Sequence, residues 1–281
     1  MVAQYSPHAW SAIYVLEAFL LLWIAKAAYT RVYRRVDLKE ELFGRNNHVL
    51  AVSTTGYLLG IIIALGGALV GPDMGWRANL REIALYGIEA IVLMLIASFL
   101  CEKVLLPHFD NTREVVEKRN LGAAFVEAGM HLANGLIVLA INQGEGAWWI
   151  GVVFWVLAQV ALILIGLLYE VATPHRIHEE LKRGNAAVGL AFGGALVGMG
   201  NVVSLAATGD FSDWTGDLIG FAGYAVFGIL MLFVVKRLTD AVLAPGVKLS
   251  DEQTEDSPNV GAGLLEACGY IGGSLLITWV L

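Results

Sequence analysis

Eight runs of about twenty apolar residues decide what this chain can become: roughly 10–28, 48–70, 83–105, 121–141, 148–170, 186–208, 217–238 and 260–280. Each is long enough to cross the hydrocarbon core of a bilayer as a helix. In lipid every backbone N–H and C=O must be satisfied within the segment, and runs of this length can do that only as helices. The connections are short, so no separate soluble domain fits between them. Composition agrees: 57% of residues are hydrophobic and 15% charged, with a mean hydropathy of +0.67, whereas soluble domains carry roughly a quarter charged residues. No basic n-region precedes the first run and no small-residue cleavage site follows it. It is therefore expected to be a retained span, not a removed signal peptide.

The basic residues predict an orientation. Fifteen of the 18 Lys and Arg fall in the linkers joining runs 1 and 2, 3 and 4, 5 and 6, or 7 and 8, counting Lys103, Lys236 and Arg237 at the run ends that lead into them. The opposite side has only Arg77 and Arg81, and Lys26 lies near the end of the first run. The positive-inside rule places the basic linkers in the cytoplasm and both termini on the other side. Arg31, Arg34 and Arg35 could also hold anionic lipid head groups.

The runs are not independent. Asn120, Gly122, Ala123, Glu127 and Ala128 recur near the C-terminus, at the same mutual spacing, as Asn259, Gly261, Ala262, Glu266 and Ala267. Asn47, Asn120, Asn185 and Asn259 each open an even run, at nearly equal intervals. The repeating unit is thus a helical hairpin used four times and doubled into two halves, 1–142 and 143–281. With an even number of spans per half, the halves are parallel, related by an axis along the membrane normal. The expected fold is all-α: a polytopic membrane protein of eight transmembrane helices in two parallel four-helix repeats.

The opening asparagines fit helix N-caps. Gly56 and Gly60, and their repeats Gly194 and Gly198, have the four-residue spacing that lets helix backbones approach closely in lipid. Glu127 and Glu266 lie seven residues into their runs, about 10 Å from the helix start. Charged groups at such depth are costly and usually face the protein interior. They read as proton or ion sites formed where the halves meet, or as protonated carboxyls bonding neighbouring helices. Glu17 and Glu89 correspond to each other within the first half, but Phe227 takes the matching place in the second, so any such site is asymmetric. His131 shares a helix face with Glu127 and reads as a relay or as a satisfied interior histidine; Tyr270 replaces it in the repeat. His48 and His131 lie at depths too different for a shared haem. Asn134 and Asn201 read as interhelical bonds, and Cys101 and Cys268 as small packing residues.

The tandem four-span units, with this asparagine-opened even helix and a following intramembrane Glu, resemble the domain of unknown function 350 (YjfL-like) family of bacterial membrane proteins. The residues that carry the resemblance are Asn120, Glu127, Asn259 and Glu266. It implies a bacterial inner-membrane location and a setting of envelope-stress or polyamine-related genes, and it brings no catalytic residues.

No nucleophile elbow, metal-ligand cluster, phosphate loop or dinucleotide motif is present, so neither an enzyme, a cofactor nor a nucleic-acid partner is expected. Two functions remain. One is a channel or transporter whose ion path is lined by the glycine-rich even helices and gated by the buried carboxylates at the repeat interface. The other is a scaffold that recruits a cytoplasmic protein partner through its linkers. Membrane lipids and further copies of the chain are the other expected partners.

Overall fold

The computed structural model describes residues 7–32, 36–70, 73–106, 110, 112–144 and 147–281. Arg34, Arg35, the Gly71-Pro72 turn and Pro107 lie outside them. The chain is an all-α, multi-pass membrane protein. Among the described residues, eight helices are long and apolar enough to span a bilayer: α1 (Pro7–Val32), α2 (His48–Leu69), α3 (Trp76–Leu100), α4 (Leu121–Ile141), α5 (Trp148–Ala172), α6 (Ala186–Ala207), α7 (Trp214–Leu243) and α8 (Val260–Val280). Several outrun their apolar runs. The helix of α3 starts at Trp76 and includes Arg77 and Arg81, because a helix continues past the apolar stretch wherever its backbone bonds can.

The even helices form the centre. They stand side by side in the order α2, α4, α6, α8, and each adjoining pair is in intimate contact. In lipid there is no hydrophobic force between apolar helices, so close van der Waals approach of small residues drives the association. Along this row the approach is backbone to backbone. A Cβ on Gly129 would fall 2.3 Å from the carbonyl oxygen of Gly193, and one on Gly56 or Gly194 would fall 2.5 Å from the Cα of Ala128 or Ala267. Gly60 abuts the carbonyl of His131, and Gly198 that of Tyr270. The odd helices are flanks: α1 and α3 lean on α2, α5 leans on α6, and α7 packs on α6 and α8. A core cluster with Val126, Met130, Trp155, Leu162, Phe192 and Leu196 fills the space between row and flanks.

All four asparagine-opened ends lie at one face, tied by the linkers that precede them. There Asn47, Asn120, Asn185 and Asn259 each accept a bond from the backbone N–H three residues on, at 3.1–3.3 Å. Each is an N-cap, worth about 1 kcal/mol. Ahead of two of them the linker is wound into wide π-helical turns, Glu40–Gly44 and Thr112–Glu117. Ahead of the third lies a short helix, Ile177–Lys182. The residue just before the cap is left-handed in three cases, with φ of 49° at Asn46, 52° at Arg119 and 79° at Gly184.

Candidate functional site

The cap is half of a larger clasp. A glutamate from the preceding linker receives the asparagine amide: Asn47 Nδ2 donates to Glu41 at 3.3 Å, Asn120 to Glu114 at 3.1 Å, Asn185 to Glu180 at 2.9 Å and Asn259 to Glu252 at 3.2 Å. The backbone carbonyl of the same glutamate accepts the asparagine N–H in all four. The amide also reaches forward. Asn47 donates to the Val116 carbonyl, Asn120 to Leu181 and Asn185 to Gln253, each in the linker of the next hairpin. These glutamates are missed as site residues by a reading of the sequence, because their distance before the asparagine varies from one linker to the next.

Glu127 sits in the second turn of α4 and is buried. Ser53 Oγ, from α2, donates to its Oε2 at 2.6 Å, and Tyr29 OH, from α1, reaches Oε1 at 3.4 Å. The two hydroxyls are themselves 2.9 Å apart. One turn further on, His131 is 1% exposed, with Nε2 3.9 Å from Glu127 Oε1. Neither ring nitrogen has a hydrogen-bond partner. Its walls are Tyr29 and Tyr57, which stack on each other at 4.2 Å and meet the imidazole edge-on at 5.8 and 5.2 Å. A buried carboxyl, two hydroxyls and an unpaired imidazole form one connected polar pocket.

The second half rebuilds this pocket with other chemistry. Glu266 Oε1 accepts from Tyr169 OH at 3.0 Å and from Lys236 Nζ at 2.7 Å, and Oε2 accepts from Gln253 at 2.6 Å. Tyr169 on α5 plays the part of Tyr29 on α1. Lys236 on α7 has no counterpart, since Ser98 holds the matching place in the first half. Tyr270, in the place of His131, meets Tyr169 edge-on. Just beyond α5, His175 is half-buried; burial lowers its imidazole pKa below the ordinary value, Lys236 works the same way, and Glu266, Glu180 and Glu170 oppose them.

Two expectations about this site need correction. The carboxyls do not meet between the halves. Each stands one residue before the small residue that touches the preceding row helix, so each turns back into its own half. Nor do the glycine-rich faces line a path, because neighbouring backbone fills them. Glu17 and Glu89 are half-buried on α1 and α3, each with one buried oxygen lacking a partner. Asn134 accepts from Gln159 at 2.5 Å, and Asn201 donates to Ser274 and Thr278, joining α4 to α5 and α6 to α8. Cys101 packs in the core, but Cys268 is exposed on the face of α8 that no other described row helix covers. His48 is exposed, and Arg31 bonds back to the Ala27 carbonyl. No group of three or more metal-ligating side chains occurs among the described residues.

A family model described as Domain of Unknown Function (DUF350) matches the chain twice, over residues 4–141 and 146–281. A UPF0719 transmembrane protein of Aquifex aeolicus (strain VF5) is 23% identical over 93% of this chain and 97% of its own length. The UPF0719 transmembrane protein YshE of Bacillus subtilis (strain 168) is 29% identical over 38% of this chain and 76% of its own, so it is about half as long. No solved structure gives a significant match.

Proposed function

The chain belongs to the DUF350 family, and from that premise we propose that it moves protons or small cations across the bacterial inner membrane, with Glu127 as the exchange site. The observation that carries this reading is the His131 imidazole, fully buried beside Glu127 with no hydrogen bond to either ring nitrogen. A buried polar group without a partner is costly, and intramembrane ionisable pairs mark proton and ion pathways. A proton passing between carboxyl and imidazole would satisfy both groups in turn. Glu266, held by Lys236, is the diverged counterpart. The route follows the seam between row and flank, where Tyr29 and Ser53 lie. The basic linkers face the cytoplasm, with both termini on the far side.

The test is proton and cation flux into liposomes loaded with a pH-sensitive dye. Wild-type protein dissipates an imposed gradient, Glu127→Gln slows it at least tenfold, and Glu127→Gln with Glu266→Gln abolishes it. Equal flux in wild type and both variants, all three folded, overturns the reading.

A second reading is a scaffold for a cytoplasmic partner. It is favoured by a groove of about 700 Å³ between the first two linkers, lined by Asp37, Glu40, Glu41, Asp110 and Glu117 against Arg45 and Arg113. The excess of carboxylates suits a basic segment. Glu41 is committed to Asn47, so Glu40→Lys with Glu117→Lys is the pair to change. A pull-down that keeps its partner after this double change removes the scaffold reading.

A further inference from the structure

We propose that a second copy of this chain extends the row, its α2 docking on the outer face of α8 in the register that already joins the even helices. Three levels recur, counted from each opening asparagine. At the first, Gly122 meets Gly189 and Ala187 meets Gly263. At the second, Gly56 meets Ala128, Gly129 meets Gly193 and Gly194 meets Ala267. At the third, Gly60 meets Gly135 and Ala133 meets Gly200. One rule thus builds three successive contacts, and nothing in the rule stops at α8.

Carried to the two free ends, the register pairs Gly261 with Ala51, Cys268 with Thr55 and Gly272 with Ile62. Five of the six are small. Gly261, Cys268, Thr55 and Ile62 are exposed, and a Cβ on Gly272 would meet nothing within 4 Å. The asparagine ladder points the same way. Asn47, Asn120 and Asn185 each donate to a carbonyl of the next hairpin, and Asn259 makes no such forward bond among the described residues. Val116 and Leu181 stand four residues before their asparagines, and Gln253 six before Asn259; on the spacing of the first two, the matching residue of a second copy is Phe43, which is 80% exposed. The contact is head to tail, so copies close into a ring or run on as a filament.

Cross-linking in membranes tests this without reference to transport. In a Cys101→Ala background, Cys268 is the one remaining thiol. Adding Thr55→Cys and a mild copper oxidant is expected to raise disulfide-linked oligomers at least tenfold over the background chain. Ile219→Cys, exposed on α7, should stay at background. Linkage in the background alone would mean that α8 faces α8 and would overturn the proposal, as would equal yields from Thr55→Cys and Ile219→Cys. Light scattering should give at least twice the chain mass of 30.3 kDa. Gly272→Trp should return it to one chain mass with an unchanged unfolding midpoint, because its side chain enters space that is open within a single chain. A wild-type protein of one chain mass overturns the proposal outright.

Discussion

Lys236 Nζ lies 2.7 Å from Glu266 Oε1, and their side chains are only 19% and 2% exposed. Removing one partner of such a pair strands the other charge. Lys236→Met is expected to cost about 3 kcal/mol. Adding Glu266→Gln should recover most of that, since a neutral amide needs no counter-ion. Thermal unfolding of Lys236→Met, Glu266→Gln and the double variant in detergent decides it, and additive losses would show that the pair is not coupled.

The clasp residues should rank by their number of bonds. Asn120 caps α4, holds Glu114 and binds the Leu181 carbonyl. Asn120→Ala loses the cap and leaves a buried carbonyl unpaired, together about 2 kcal/mol or more. Asn259 is exposed and has no forward bond among the described residues, so Asn259→Ala should cost about 1 kcal/mol. Asn120→Asp keeps the capping oxygen but sets a carboxylate against Glu114, and is expected to be at least as harmful as Asn120→Ala. The three unfolding midpoints give the order.

Gly129 separates the two halves by no more than a hydrogen atom. With Gly129→Ala, the α4 and α6 backbones must part, at a cost of about 1–3 kcal/mol. Gly220→Ala, where a Cβ meets nothing within 4 Å, should leave the midpoint unchanged or raise it slightly. Equal effects at the two positions would mean that the row is looser than its geometry.

His175 gives a pH dependence. Its folded pKa lies below the ordinary value, chiefly through burial, so the unfolded chain binds its proton first. The contribution to stability is complete above the ordinary histidine value, near 6.5, and is lost as pH falls through that value towards the folded one. The midpoint of wild type should therefore fall more steeply between pH 7 and 5 than that of His175→Gln. Parallel curves would remove His175 from the account.

The spans and their doubling were legible because both rest on period: apolar runs of one length, and asparagines at nearly equal intervals. The opening asparagines could be read as caps from residue type and position alone. Their glutamates could not, since the linker winds differently before each helix, as a π-turn before Asn47 and as a short helix before Asn185. The partners of the carboxyls were out of reach for another reason. Tyr29 is 98 residues from Glu127 and Tyr169 is 97 from Glu266, and only the flanking position of α1 and α5 brings them in. The direction each carboxyl faces also depended on the row's register. Glu127 precedes Ala128, which touches α2, and so it turns away from the other half.

The row also sets a timetable for assembly. Helices joined by a hairpin enter the bilayer together, yet in this chain the tight contacts skip the hairpin partner. When α2 is inserted, its glycine face has nothing to meet until α3 has been made and α4 arrives, and α4 then waits through α5 for α6. Insertion and packing are thereby separated in time. A ribosome-bound chain holds one small-residue face open to lipid after every hairpin, and each new hairpin covers the last face and exposes the next.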